Sequence, residues 1–402
     1  MKEEAPMLSK RERWLYLVAF PGGHGAVDWG GGALWLLVPA MALALDLTTV
    51  QIGVLFVLRQ VAGGIAQLPA GLFGEGMKRR GRFLLMTFWW VSAAQILASV
   101  APGYWSIGIF LALASSGAGA WHPVAMGTMV EKMPNRRAFA LAVHTVGGTV
   151  SEVVAPIVVG VLIVFLDWRQ VLQINTIPVI LSGLIFMRLA PMVAPSSQGA
   201  MTKTQLAGLV RLLLKPSIIA VMLIFLLQNM SVLAFMSMAP LYFQETHGFS
   251  SALTGLAISI FVVSGVVTAL LVGRISDKSG RRPVAVMGLL GGGLTVYFIT
   301  LVSSTFAIFS LLILTGFLML AVRPVVTAIM LEKVGRREVT VLGLISSVGE
   351  GVAALGALLA GIVAQVDLAY ALMLSAILSI IAASVLIFVN LDRESIPETD
   401  GT

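Results

Sequence analysis

His24 and Asp28 stand four residues apart in "GGHGAVDWGGG", residues 22–32, inside a long apolar stretch. Residues at i and i+4 share one helical face, so this spacing points an imidazole and a carboxyl group the same way. Such a pair can exchange a proton when water reaches it from either side, with Asp28 as the proton-binding acid and His24 as its modulator. It can equally hydrogen-bond internally and lock a bend. His144, Gly148 and Glu152 repeat the four-residue spacing, and Glu152 either couples protons or pairs with a cation such as Arg59. His122 precedes Pro123, and proline frees a helix carbonyl, so His122 either caps that gap or contacts a substrate. Arg323 precedes Pro324 and needs an acid, for which Glu350 is a candidate, or an anionic ligand.

The remaining polar groups within apolar stretches are amides. Gln228 and Asn229, like Gln60 and Gln67, can hydrogen-bond a ligand or glue helices together, and Trp121 is one of several aromatics able to line a pocket. Together His24, Asp28, His122, His144 and Glu152 offer the imidazole and carboxylate set that suits a divalent transition metal, which makes a metal cargo the second reading. The chain has no cysteine, so disulfides, thiolate metal sites and cysteine catalysis are excluded. No phosphate-cradling glycine loop, nucleophile elbow or HExxH pair occurs. A membrane enzyme or a transporter-like sensor therefore ranks third, and no cofactor is expected.

These groups must be held by membrane helices. Of the 402 residues, 58% are hydrophobic and only 11% charged, whereas a soluble domain carries about 25% charged residues. Twelve apolar stretches are long enough to span a bilayer: 14–45, 50–74, 83–101, 104–130, 138–166, 169–190, 216–244, 250–275, 283–303, 305–331, 339–366 and 367–390. The charged start runs straight into a span too long for the core of a signal peptide. An ionisable side chain at a membrane-helix centre costs ~2.5–3.5 kcal/mol, so the His24 and Asp28 face should turn toward the bundle interior. The glycines around it, with Pro21, predict a broken, hinge-like first helix.

Of the 26 Lys and Arg, all but Arg59, Arg169 and Arg323 fall in alternate connections or the termini. That bias places both termini and the long middle connection in the cytoplasm, and it accounts for the net charge of +7 without nucleic acid. Residues 191–215 are the one long polar break. They divide the chain into an N-terminal bundle, 1–190, a cytoplasmic linker, 191–215, and a C-terminal bundle, 216–402. Within the linker, "TQLAGLVRLLLK" reads either as an amphipathic surface helix or as plain connection.

The halves repeat. "GLFGEGMKRR" (71–80) aligns without gaps on "GRISDKSGRR" (273–282), and "HPVAMGTMVEK" (122–132) on "RPVVTAIMLEK" (323–333). Duplicated six-helix halves follow, related by an axis along the membrane normal. The loop Gly273-x-x-x-Asp277-Lys278-x-Gly280-Arg281-Arg282 resembles the signature between helices 2 and 3, and 8 and 9, of the major facilitator superfamily. The first-half copy, with Gly71, Glu75, Arg79 and Arg80, departs at Glu75 and Lys78. The resemblance implies an all-α membrane fold of twelve helices in two pseudo-symmetric bundles. It also implies that these loops gate one face, the carboxylate capping a helix N-terminus and the arginines bridging to acids of the other half.

His24-x-x-x-Asp28, Trp121-His122-Pro123 in "GAGAWHPVAMG" and "PNRRAFALAVHTVGG" (134–148) are similar to the fosmidomycin-resistance branch of that superfamily. This resemblance implies a proton-driven exporter of a small organic compound, an antiporter acting in efflux and drug resistance; a compact chain of this kind is expected as a monomer in a bacterial inner membrane. "EVVAPIVVG" (152–160) is a degraded form of the Gly-Pro motif of the superfamily's antiporters, with Ala155 before Pro156. On this reading Asp28, His24, Glu152 and Glu350 carry protons. The substrate meets His122, Arg323, His144, Gln228, Asn229 and Trp121.

Overall fold

The computed structural model describes residues 9–74, 76–196, 211, 214–334 and 338–389, with side chains throughout except at 138, 217, 270, 330–334 and 338–346. Every regular element among them is helical. In chain order these are α1 Lys10–Leu45, α2 Thr49–Gly74, α3 Arg80–Val100, α4 Tyr104–Lys132, α5 Arg137–Leu162 and α6 Trp168–Met192. The second half follows with α7 Pro216–His247, α8 Ser251–Ser279, α9 Arg281–Ile299, α10 Thr305–Ile329, α11 Glu338–Val363 and α12 Leu368–Phe388. Eleven of the described helices are long and apolar enough to cross a bilayer, and Ser347–Val363 of α11 adds a shorter apolar segment. The segment 204–215, read from sequence as a surface helix or plain linker, lies mostly outside the described residues.

Local chemistry sets the helix ends. Ser9 and Glu12 form a capping box at the start of α1, and Asp167 and Gln170 form one at α6. Ser250 and Asp367 accept backbone N–H groups at the starts of α8 and α12. Each satisfies donors that a helix leaves orphaned in its first turn. Gly280, at φ +91°, is the single residue between α8 and α9, a turn that a Cβ would strain.

The expected break in the first helix does not occur. α1 runs unbroken through residues 22–32, and Pro21 is absorbed by a π-helical turn over Leu15–Ala19. A wider turn relieves the clash that a proline ring makes with the preceding carbonyl. The glycines serve approach instead: a Cβ on Gly25 would lie 2.8 Å from the Gly147 carbonyl oxygen of α5. A true interruption appears in α10, where a π turn over Gly316–Leu320 leads into Arg323-Pro324.

The bundles meet mainly along α2 with α11 and α5 with α8. At the ends remote from the basic loops, the far face, the contacts are backbone to backbone. A Cβ on Gly53 would lie 2.7 Å from the Ala357 carbonyl oxygen, and one on Gly160 would lie 2.5 Å from that of Ser251. Thr49 Oγ1 donates to the Gly361 carbonyl at 2.6 Å, and Ser259 Oγ donates to that of Val153 at 2.6 Å. Arg169, the far-face exception to the charge bias, donates to the Ser99 and Ala101 carbonyls at 2.7 and 2.9 Å. It caps the end of α3, where a helix dipole favours a cation.

Overpacking a tight core crossing costs about 1–3 kcal/mol. Gly53→Ala is therefore expected to lower the apparent melting temperature of the detergent-solubilised protein. Gly22→Ala, where a Cβ would meet nothing within 4 Å, should leave it unchanged or raised. Equal melting of the two variants would refute the tight α2–α11 seal.

Candidate functional site

Asp28 is held between two imidazoles. His24 Nε2 lies 2.9 Å from Asp28 Oδ2, and His122 Nε2 lies 3.1 Å from Asp28 Oδ1. The i,i+4 spacing on α1 supplies the first contact, while the second comes from α4. The other nitrogen of His24, Nδ1, is 2.6 Å from the His144 carbonyl oxygen. A carbonyl only accepts, so Nδ1 carries a hydrogen. In a neutral imidazole Nε2 would then be a bare acceptor facing a carboxylate oxygen. The 2.9 Å contact therefore contains a further proton, as an imidazolium against a carboxylate or as an imidazole against a carboxylic acid.

Gly148 makes room for this arrangement: a Cβ there would sit 2.6 Å from His24 Nε2 and 3.0 Å from Asp28 Oδ2. Behind the pair stands a stack of flat rings. His24 and His144 lie face to face at 4.1 Å between centroids, and Trp121 stacks on His144 at 5.5 Å. Trp121 has no exposed surface and His144 only 2%. Both ring nitrogens of His144 are buried without a hydrogen-bond partner.

In front of Asp28 lies a central cavity of about 230 Å³. Asp28, His122, Glu152, Asn229, Arg323 and Glu350 line it, with Arg59 and the amides of Gln60, Gln67 and Gln95. Of the residues singled out from sequence, His24, Trp121, His144 and Gln228 do not reach it. Trp121 instead packs among Phe20, Phe88 and the histidines. Gln228 donates to the Met319 carbonyl at 3.2 Å, tying α7 to the π turn of α10. Neither expected pairing of the arginines forms: no ion pair among the described residues joins Arg323 to Glu350 or Arg59 to Glu152. Glu350 accepts from Gln67 Nε2 across the bundle interface at 2.6 Å, and Arg59 Nη1 donates to Gln60 at 3.0 Å.

Three histidines, His24, His122 and His144, offer ligand atoms within 4.8 Å of one another. Zinc would need nitrogens at ~2.0–2.1 Å whose lone pairs converge in the ring planes. The rings of His24 and His144 are only 19° from parallel, so their lone pairs run side by side. A metal would have to unstack them.

Comparison with known proteins fixes the family. A family profile described as Major Facilitator Superfamily matches residues 23–257 and 230–401. The chain belongs to the major facilitator superfamily. It is similar to a Haemophilus influenzae protein named, provisionally, for metabolite transport, at 24% identity over 70% of this chain and 72% of that one. It also matches the uncharacterized transporter YwoD of Bacillus subtilis at 26% identity, over 49% of this chain and 43% of YwoD. Among solved structures, an inward-facing, unoccupied bacterial homologue of the human lysosomal transporter Spinster superposes with a TM-score of 0.77. That match has 18% identity and covers 94% of this chain and 97% of the other. The nucleoside transporter NupG superposes with a TM-score of 0.76 at 12% identity, over 93% and 98% of the chains. Members of this superfamily are membrane transporters rather than enzymes.

The superfamily's loop motifs are placed unequally. Arg80 is buried and stays within its own half, donating to both carboxylate oxygens of Glu131 at 2.9 and 2.8 Å and to the Gly74 carbonyl at 3.0 Å. Its repeat partner Arg282 caps α12 through the Leu386, Ile387 and Val389 carbonyls. Arg281 pairs with Asp277 along α8 and α9 at 3.5 Å, and Asp277 stays largely exposed rather than capping a neighbouring helix. These contacts of Arg80, Arg282 and Arg281 each stay within one half. Gly71 packs near Pro123, with 3.5 Å from its added Cβ to the ring, whereas Gly273 has no described neighbour within 4 Å. Arg79 is exposed, and Glu75 lies outside the described residues.

Leaving buried polar atoms unpaired costs about 1–3 kcal/mol, and His144 has two of them. His144→Phe, which keeps a ring in the stack, is expected to match or exceed the wild-type melting temperature in detergent. Trp121→Ala should lose about 3–5 kcal/mol. A large loss for His144→Phe would mean that its nitrogens have a partner.

Proposed function

We propose that this chain is a secondary active exporter, exchanging an inward proton for an outward small organic compound by alternating access. The observation carrying the proposal is the placing of Asp28 between His24 and His122 at the wall of the central cavity. Asp28 is the coupling acid. With a proton on its Oδ1 side, the acceptor that holds His122 is lost, and His122 turns to the cavity. Proton and substrate then compete for one set of groups, which is the requirement for antiport. Glu152 and Glu350 extend the acidic wall, and Glu350 reports across the bundle interface through Gln67.

Arg59 and Arg323, which form no described ion pair, give the cavity two cations that suit an anionic group on the cargo. His122 and Asn229 supply directional hydrogen bonds beside them. The loops around Gly71, Arg79, Arg80, Gly273, Asp277, Arg281 and Arg282 gate the basic face. His24-x-x-x-Asp28 and Trp121-His122-Pro123 favour the fosmidomycin-resistance branch and a role in drug efflux. The basic-residue bias favours cytoplasmic termini, with bundles at 1–190 and 216–402 joined by 191–215. The bacterial relatives make an inner membrane the natural setting, with the chain acting as a monomer.

The second cargo is a divalent transition metal: His24 and His122 adjoin the Asp28 carboxylate, and binding would require His24 to unstack from His144.

One assay separates the readings. Proteoliposomes with an imposed pH gradient should release a cargo drawn from a panel of toxic anionic compounds. Asp28→Asn is expected to cut gradient-driven flux at least about tenfold, the upper end of one general acid–base contribution being larger, while counterflow exchange persists. Undiminished gradient-driven flux in that variant would sink Asp28 as the coupling acid. Saturable flux of zinc or manganese, without flux of organic compounds, would establish the second reading.

A further inference from the structure

A second cavity, of about 320 Å³, lies at the basic-face ends of α3 and α6, apart from the central cavity and beside the loop that carries Arg79 and Arg80. Lys78, Arg79 and Arg82 line it, with no acid beside them among the described lining residues. Three other cations on this face have described acidic partners, Arg80 with Glu131, Lys132 with Glu12 and Arg281 with Asp277; what sets Lys78, Arg79 and Arg82 apart is that they share one concavity. No described ion pair or side-chain hydrogen bond involves Lys78, Arg79 or Arg82. Their placement follows from a close helix contact. Gly81 lies so near the Ala190 carbonyl that no Cβ would fit, and the Ser196 N–H donates to the Met77 carbonyl at 3.1 Å. The chain therefore folds three cations around a concavity instead of spreading them along a helix.

The opposite wall is apolar. Leu85 and Met187 line the same cavity, and Met187 is itself exposed, as are Met86 on α3 and Leu184, one helical turn before it on α6. One side of the site thus demands negative charge and the other demands hydrocarbon. Free phosphate satisfies only the first. We infer that this cavity binds an anionic phospholipid, its phosphate among Lys78, Arg79 and Arg82 and its acyl chains along Leu85 and Met187. Basic pockets between membrane helices recognise headgroups in this way. The lipid would clamp the loop before α3 to the segment that follows α6, joining leaflet composition to the stiffness of the first half. This inference stands whether the cargo is organic or metallic.

The test uses the full chain, delipidated in detergent and titrated with phosphatidylglycerol or phosphatidylcholine, with bound lipid counted by native mass spectrometry. Lys78→Gln/Arg79→Gln/Arg82→Gln is expected to weaken phosphatidylglycerol retention roughly 10- to 100-fold, and Arg82→Gln alone about fivefold. Phosphatidylcholine binding should be weak and equal in all forms. Arg11→Gln/Arg136→Gln/Arg137→Gln removes the same charge from exposed positions and should retain the wild-type affinity. The inference is overturned if this control loses as much as the pocket variant, or if phosphatidylcholine binds as well as phosphatidylglycerol. Complete displacement by millimolar inorganic phosphate would also overturn it, assigning the cavity to a free anion.

Discussion

A carboxyl group among membrane helices needs hydrogen-bond partners from within the protein, and Asp28 has one imidazole at each oxygen. That demand organises the first half. His24 can serve only if its far nitrogen is fixed, which the His144 carbonyl does at 2.6 Å. His144 can bring its carbonyl there only if α1 and α5 nearly touch, which Gly25 and Gly147 permit. His122 can complete the set only from α4, beside the buried Trp121. Helix crossing, ring stack and cavity wall are therefore one unit, since shifting any of them leaves a part-buried polar group short of a partner.

Much of this was legible in the sequence, and the reasons for the rest are geometric. Apolar length revealed the spans, and the i,i+4 spacing revealed that His24 and Asp28 share a face. Spacing along one helix does not disclose its rotation against its neighbours. Gln228 and Asn229 are adjacent in sequence but point about 100° apart on a helix, and only Asn229 reaches the cavity. His144 and Trp121 look as chemically able as His122, yet they stand one layer behind. Gln67 as the partner of Glu350 was out of reach because that contact joins residues from separate bundles. The glycine-rich centre of α1 suggested a break, but glycine serves close approach as readily as bending, and a sequence cannot distinguish the two.

Duplication left matching positions with divergent work. Arg80 and Arg282 align in the repeat; one is locked to the part-buried Glu131 carboxylate and the other closes the end of a helix. Glu131 accepts from both Nη atoms of Arg80 in the first half, and the side chain of Glu332, its repeat equivalent, lies outside the described residues. Arg169 is a further case in which a charge on the unexpected face proves to be structural. Pseudo-symmetry thus predicts where a residue stands better than what it touches.

The far-face closure is built from glycines set against peptide oxygens, with two hydroxyl hydrogen bonds and no described ion pair. Contacts of that kind carry no net charge, so acidification or added salt on that side has little purchase on them. Whatever parts the two bundles there must act mechanically, through tilting of whole helices. The medium at that face therefore has little hold on the seam, whose parting depends on how the helices themselves are packed.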